Sequence, residues 1–495
     1  MLNTLLKYIR AQAPRLLLIA VWAAACYWFF ESHMRYHFFS QEQNQLFLCD
    51  SEYVSTYFQR PAWLACLAGD FLTQFYYYLF AGPALLTVVL LVLGDLARRM
   101  VERSLKVYAT KTVAILSFIV ALAFITYEAR LCLDETYTLA SLVALCGGMA
   151  LWLLHDLLHS TLRCWWLRAI GFAVVLPLAY WCFGFGAYAM LLPEIVRLGS
   201  LAVAKRVKFW AVIPTLVIAA LPFCLMSSVA RYYHISDSRA LHYPGTGTWV
   251  DYKYAVTYEN VLALDNEYYF GNYNKVVGLY NTIEGEKNDQ MAFFNCLALA
   301  QLDMLPEMLP SLDNPFLGTF LTIGEDTPMY SIMMINELYY LIGDMTYAER
   351  AALLANTFSP KTRNARMIKR LAEANLVNGD EAAAMKYLRL LSKTIVYRQW
   401  AKNHTPGTMT EEVKAEIARK REFINTNDDI RLGDNCYTIL TQLLDSNPKN
   451  TMALQFLLCS DMLSGQRDTF VKDYERYGNG GKKFFEQIYN QTKQQ

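Results

Sequence analysis

Residues 169–204 read AIGFAVVLPLAYWCFGFGAYAMLLPEIVRLGSLAVA, apolar from end to end except for Glu194 and Arg197. About 20 mostly apolar residues carry an α-helix across a bilayer, with roughly 17–25 tolerated. The stretch is therefore too long for one crossing and suits two short ones. Gly184-Phe185-Gly186 stands near its middle, and glycine accepts the backbone angles that a sharp reversal needs. The distinction matters because Lys205, Arg206 and Lys208 follow at once, and loops rich in Lys and Arg stay in the cytoplasm. One long span leaves those charges outside. Two spans turning at the glycines bring them back in.

Upstream, four further apolar runs fit the same charge rule. The first covers about Leu16 to Phe30, preceded by Lys7, Arg10 and Arg15. Ala23-Ala24-Ala25 resembles a signal-peptide cleavage site, but Tyr27, Trp28, Phe29 and Phe30 continue the apolar run beyond it, so an uncleaved span is expected. The second runs from about Phe71 to Leu93 and ends at Arg98 and Arg99, the third covers Thr112 to Tyr127, and the fourth covers Thr136 to Leu154 with Arg163 and Arg168 behind it. With the N-terminus inside, the loop at 31–70 and the link from Arg130 to Glu135 face outward. A last span, about Phe209 to Ser228, exits after the divided stretch. Seven spans place everything beyond them outside the cytoplasm; six would place it inside.

Past Tyr232 the composition changes to evenly spread charged and polar residues. Three regions follow: a transmembrane part at 1–231, a linker at 232–249 and a soluble part at 250–495. The linker holds Pro244-Gly245-Thr246-Gly247-Thr248. A phosphate-binding loop would need Gly-Lys-Ser/Thr opening a helix, which is missing, so a flexible connection is expected. In the soluble part an apolar helix end, a glycine turn and a second amphipathic segment recur. Gly271-Asn272, Gly343-Asp344 and Gly379-Asp380 mark three turns and Gly465-Gln466 a weaker fourth. Gly343 and Gly379 stand 36 positions apart and Gly271 and Gly343 stand 72 apart, so a copy is expected near position 307. A period near ~34 is that of tetratricopeptide helix pairs. A polar insertion, about Lys402 to Asn427, breaks the period before Gly465. The fold class is thus all-α: a polytopic transmembrane bundle followed by a tetratricopeptide-like helical solenoid.

Composition narrows the function more than it names it. The net charge of +1 on 495 residues gives no basic face for nucleic acid. The 11 cysteines show no zinc spacing. Cys26, Cys66, Cys146, Cys182 and Cys224 sit in apolar runs, and Cys296, Cys436 and Cys459 leave room for one bridge at most. No nucleophile elbow, dinucleotide fingerprint or kinase set occurs, and no cofactor is expected.

Three stretches resemble a family of bacterial multi-pass membrane proteins with a helical-repeat C-terminal half and no established activity: residues Asp70-Phe71-Leu72-Thr73-Gln74-Phe75-Tyr76-Tyr77-Tyr78, Lys369-Arg370-Leu371-Ala372-Glu373-Ala374-Asn375-Leu376-Val377-Asn378-Gly379, and Val396-Tyr397-Arg398-Gln399-Trp400-Ala401. The resemblance covers most of the chain and implies that both halves form one architecture. More loosely, seven spans with a long first outer loop look like the module of membrane glycosyltransferases that use polyprenyl-phosphate sugars. That likeness implies a catalytic carboxylate in the loop, with Glu31, Asp50, Glu52 and Asp70 as candidates. It would act as general base or metal ligand, with Arg35 or Arg60 on the phosphate. For each of these the plainer reading is a solvated loop charge or an interface anchor.

His155-Asp156-Leu157-Leu158-His159 sets two histidines on one helix face, a geometry that zinc enzymes use. No third ligand is apparent, and polar residues at a span end meet water in any case. Asp70 and Gln74 lie one turn apart beside three tyrosines, an arrangement typical of an interface belt. Glu194 and Arg197, three apart, are placed to neutralise one another. The function expected is a membrane-anchored scaffold or binding protein in the bacterial inner membrane. Its repeats face the periplasm and bind a protein or envelope component, and the bilayer is the other partner. The alternative is a lipid-linked sugar transferase.

Overall fold

A computed structural model describes residues 2–108, 110–134, 136–159, 165–205, 212–245, 255–312, 323–324, 326–425, 435–478 and 483–494, with side chains from residue 13. Glu135, Arg163, Arg206, Lys208, Phe209, 246–249 and 426–427, which enter the reading above, lie outside these. The described residues form helices and no strand. They divide into two compact units, one of Met1–Gln41 with Cys49–Ala255 and one of Glu42–Leu48 with Val256–Gln495.

The first unit contains α1 (Leu2–His33), α2 (Arg35–Gln43), α3 (Ser51–Ser55), α4 (Trp63–Thr73), α5 (Ala81–Ser104), α6 (Lys111–Leu131), α7 (Leu139–His159), α8 (Trp165–Phe183), α9 (Leu191–Val203), α10 (Val212–Ile218), α11 (Leu221–Tyr233) and α12 (Asp237–His242). Five segments are long and apolar enough to cross a membrane: Ala13–His33, Lys111–Leu131, Leu139–His159, Trp166–Val203 and Ile213–Tyr233. α5 is long enough too, but Asp95, Arg98, Arg99, Glu102 and Arg103 crowd its second half.

Side-chain contacts give each helix its direction. Cys26 of α1 meets Thr87 of α5, and Phe38 beyond α1 meets Gly82, so the two run antiparallel. Ile125 of α6 packs on Gly94, and Arg103 reaches Asp156 of α7. α8 returns alongside α7, from His155 beside Phe172 to Phe183 against Gly147. At Gly184, where φ is +56°, the chain reverses. The 3-10 segment Gly184–Met190 and α9 then run back down α7, from Gly186 beside Ala144 to Glu194 beside Trp152. Gly148 and Gly186 face one another so closely that a Cβ on either would overlap the other helix's backbone. The reversal read from the glycines is therefore present.

One expected span is corrected. The run from Phe71 to Leu93 is not one helix: α4 ends at Thr73, Gln74–Tyr77 form a 3-10 turn, and α5 starts at Ala81. Pro83 explains the break, because proline fits only the first turn of a helix and disfavours helix before it. Apolar character continued where helix geometry did not. Ala62 lies by Gly184, Gly69 by Ala140 and Tyr76 by Cys132. α4 and its turn thus cross the ends of α8, α7 and α6 instead of running beside them. Phe58, Phe71, Tyr78 and Phe80 stay exposed on this segment, as aromatic side chains do at a membrane interface. Residues 232–245, read as linker, are also structured: Tyr180 donates to the Ala240 carbonyl (3.0 Å) and Phe185 N–H to that of Tyr243 (2.9 Å).

The second unit contains α13 (Val256–Tyr269), α14 (Tyr273–Thr282), α15 (Asp289–Gln301), α16 (Leu305–Met308), α17 (Met329–Leu341), α18 (Met345–Phe358), α19 (Ala365–Asn378), α20 (Glu381–Ser392), α21 (Arg398–His404), α22 (Glu411–Arg421), α23 (Cys436–Ser446), α24 (Thr451–Ser464), α25 (Arg467–Tyr477) and α26 (Lys483–Gln494). Helices pack on their sequence neighbours, and Tyr268, Phe294, Leu338, Tyr339, Leu443 and Phe456 belong to one shared core. Gly271, Gly343, Gly379 and Gly465 all have positive φ, the left-handed conformation that ends a helix. The copy expected near 307 turns at Asp303, φ 60°, and its second helix is only Leu305–Met308 with a 3-10 turn after it. Among the described cysteines no disulfide is formed.

The polar insertion has a packing role. Lys420, in the last turn of α22, donates to the Leu341 carbonyl at the end of α17 (3.0 Å). Arg421 donates to Val377 and Leu376 at the end of α19 (3.0 and 2.8 Å). The last carbonyls of a helix have no partner within it and favour a cation there, so one helix finishes two others. Beyond it, Asn425 N–H donates to the Gly343 carbonyl (3.0 Å), and the backbone passes so close that a Cβ at Gly343 would overlap Phe423.

Candidate functional site

The feature that most distinguishes the second unit is its possession of Glu42–Leu48, a segment that lies in sequence between α1 and α3. It is held at two turns. At the α18–α19 turn, Asn364 caps α19 by accepting from Met367 N–H (3.0 Å), which fixes its amide to donate to Asn44 Oδ1 (3.2 Å). Ser359 Oγ donates to the Asn44 carbonyl (3.1 Å) and Lys361 Nζ to Gln45 Oε1 (2.7 Å). At the turn before α21, Thr394 Oγ1 accepts from Tyr397 N–H (2.9 Å) and orients that tyrosine. Its hydroxyl donates to Glu42 Oε2 (2.8 Å) while Gln43 Nε2 donates to the same hydroxyl and carboxyl (3.0 and 2.6 Å). Glu42, Gln43 and Gln45 are each less than 5% exposed. Burial pushes the Glu42 carboxyl up to about 8, against the pull of Tyr397 and Gln43, so near neutrality it is held as the uncharged acid.

Next to this clamp lies a buried charge lattice. Arg366 of α19 binds Asp265 of α13 (2.7 Å) and Glu337 of α17 (2.9 Å), and Arg370, one turn on, takes the other Glu337 oxygen (2.6 Å). Lys369 on the same face donates to Tyr269 (3.3 Å) and lies 5.1 Å from the Trp400 ring. Burial pushes both carboxyls up. For Glu337 the two arginines outweigh burial and hold it below the usual range, whereas Asp265, with Arg366 alone, stays raised. The lattice joins the first helices of three pairs.

In the first unit the candidate loop acids are engaged separately. Glu31 pairs with Arg35 (2.9 Å). Asp50 caps α3 by accepting from Glu52 N–H (3.3 Å). Asp70 is buried, accepts from the Tyr57 hydroxyl (2.8 Å) and has Arg60 at 3.9 Å. Of the two arginines named with these acids, Arg60 is thus the one brought to Asp70. A cavity of about 860 Å³ lies between α8 and α11, lined by Gln59, Tyr180, Trp181, Val229 and Tyr233 among others and, among the described residues, by no carboxylate.

His155 and His159 do share a face, their rings 4.4 Å apart. Asp156 between them is taken by Arg168 (2.9 Å), Arg103 (3.2 Å) and Arg197 (3.4 Å). Among the described residues no group of three or more His, Cys, Asp or Glu is placed to hold a metal ion. Glu194 is bound by Arg168 (2.7 and 2.6 Å) and Trp152 (3.0 Å). The sequence pairing of Glu194 with Arg197 is thus replaced by partners on other helices. Glu42 and Tyr397 were not singled out as functional, since nothing local in Glu42-Gln43-Asn44-Gln45 distinguishes it from a solvated loop.

An apolar helical bundle joined to an all-helical array of helix pairs, with an ordered cis segment and no assembled catalytic group among the described residues, defines a class of architecture and no known chemistry. The chain belongs to a family of unknown function, DUF6057, which matches residues 10–492. Comparison with the curated proteins finds no match, and comparison with the solved structures finds none.

Proposed function

We propose that this is a multi-pass membrane protein that holds a helical-repeat binding unit outside the cytoplasm, on the periplasmic face of a bacterial inner membrane. The observation that carries the reading is the membership of Glu42–Leu48 in the repeat unit. A segment buried in that unit must share its compartment, and this segment lies in the loop after the first apolar helix. The seven-span reading of the sequence agrees with it, since an odd number delivers the chain to the side opposite its start. The basic ends at Arg98, Arg99 and Arg103 then remain cytoplasmic, as loop charge requires.

The unit acts as a scaffold or binding module of tetratricopeptide-like helix pairs. Stacked pairs of this kind offer extended surfaces to peptides and proteins, and this one already holds seven residues of its own chain through side-chain and backbone bonds. A sugar-transferase reading draws no support from a cavity without carboxylates. The test is topological. A reporter active on one side only, fused after Gln495, should report the outer side, and a membrane-impermeant maleimide should label the exposed Cys49 in intact spheroplasts. A cytoplasmic reporter with an externally labelled Cys49 would overturn the reading.

A further inference from the structure

We propose that the groove between α8 and α11 holds the acyl chains of an anionic phospholipid whose phosphate is taken by Arg60. The groove has a volume of about 860 Å³ and is walled by Pro177, Tyr180, Trp181, Leu225, Val229 and Tyr233, with Gln59 at its edge. Three of its polar groups are already engaged: Tyr180 donates to the Ala240 carbonyl, Tyr233 to that of Gln59, and Ser228 to that of Cys224. What faces the space is mostly ring and aliphatic surface, which suits hydrocarbon.

Arg60, next in sequence to Gln59, supplies the charge. Its guanidinium stacks 4.1 Å above the Tyr57 ring. Its Nε is buried with no hydrogen-bond partner. The nearest carboxylate oxygen, Asp70 Oδ2, is 3.9 Å away and already accepts from Tyr57. The side chain is 37% exposed, so donors remain for an acceptor arriving from outside. Arginine presents such donors in a fork that matches phosphate. Arg231, exposed in the last turn of α11, adds a second positive charge.

A second groove supplies the contrast. Between α1, α5 and α6 a space of about 220 Å³ is lined by Ile19, Trp22, Leu91, Phe118 and Leu122, with Arg98 at one end. There the arginine's charge is offset by two carboxylates, Asp95 (2.6 Å) and Glu102 (2.9 Å). That groove can take hydrocarbon, but a phosphate approaching its cation also meets two negative charges. Headgroup selectivity is therefore expected at one groove and not at the other.

The inference rests on the membrane-spanning reading above, and the experiment separates the two. The full chain is reconstituted in phosphatidylcholine nanodiscs doped with photoactivatable phosphatidylglycerol or, in parallel, photoactivatable phosphatidylcholine, and labelled peptides are mapped. Phosphatidylglycerol should label 177–181 and 225–233 in preference to phosphatidylcholine by on the order of ten-fold, the worth of one charge-assisted hydrogen bond. Peptides lining the second groove should show no preference. Arg60→Gln should abolish the preference and leave the second groove's labelling unchanged. Arg60→Lys, which keeps the charge, should retain part of it and decides the matter should Arg60→Gln fail to fold. Equal labelling by both lipids at 177–181 and 225–233, or a preference that survives Arg60→Gln, would overturn the proposal. Absence of lipid labelling at both grooves would instead overturn the membrane reading beneath it.

Discussion

Each unit of this protein is built around an arginine held between an aspartate and a glutamate. In the first, Arg168 joins Asp156 (2.9 Å) to Glu194 (2.6 Å). In the second, Arg366 joins Asp265 (2.7 Å) to Glu337 (2.9 Å). The chemistry is the same and the surroundings are not. Around Arg168 the acids are shared, Asp156 being held also by Arg103 (3.2 Å) and Arg197 (3.4 Å), and Leu154, Leu157 and Leu158 are exposed on the same helix. Around Arg366 the second unit carries evenly spread charged and polar residues, and local opening lets solvent in. A buried ion pair adds little over an apolar replacement, but removing one partner strands the other. The two clusters therefore specify which helices meet, and losing either arginine should be costly to a different degree.

That difference can be broken by mutation. The largest effect expected is from Arg168→Met, which takes both charged bonds from Glu194 and leaves it Trp152, while Asp156 keeps Arg103 and Arg197; a loss at the upper end of about 3–5 kcal/mol should leave little folded protein by size-exclusion profile and thermal melting in detergent. Arg366→Met should destabilise the second unit by a smaller amount within that range, because Arg370 still pairs with Glu337 (2.6 Å). The double replacement of Glu194 and Arg168 by Gln and Met should recover part of what Arg168→Met loses, because Glu194 is the acid left without a cation. A double variant no better than the single one would show that the pairing matters less than the packing.

Smaller effects sharpen the picture of the clamp. Tyr397→Phe removes the hydroxyl shared by Glu42 and Gln43 and should weaken docking of Glu42–Leu48 by about 1–2 kcal/mol, seen as faster chymotryptic cleavage at Phe47. The pH dependence has a definite sign. Docked, the Glu42 carboxyl keeps its proton to about 8; released, it loses it near its ordinary 4.5. Docking thus takes up a proton between those values, so it is strongest below pH 4.5 and weakens as pH rises through 8. Glu42→Gln should flatten that slope and slow cleavage at pH 8.5. The smallest effect is expected from Asp461→Asn. Burial and the neighbouring Asp473 push Asp461 up to about 7, so the amide should raise the melting temperature modestly at pH 8 and leave it unchanged at pH 5.

The two units were not equally legible. Hydropathy and glycine showed the reversal at Gly184 and the turns at Gly271, Gly343, Gly379 and Gly465, because those signals are local. The missing turn went unmarked because Asp303 reaches the left-handed conformation without glycine, as aspartate does more readily than most residues. The break before α5 was hidden because Phe71–Leu93 is continuous in hydropathy, and Pro83 was the signal that marked it. The insertion at 402–427 looked like a loop because the carbonyls capped by Lys420 and Arg421 lie 79 and 44–45 positions away. The candidate acids were located as residues but not as neighbours. Glu42 was invisible as a site, since Tyr397 stands 355 positions downstream and a polar loop carries no trace of a partner so distant.

The central claim is that Glu42–Leu48 is part of the repeat unit, and a photoreactive residue tests it most directly. With p-benzoylphenylalanine in place of Asn44 in the full-length protein in its native membrane, irradiation should join position 44 to the peptide spanning Ser359–Asn364 of the same chain. Cross-links to bilayer lipid or to other proteins, with none to that peptide, would contradict it and remove the argument that places the repeat unit on the outer side.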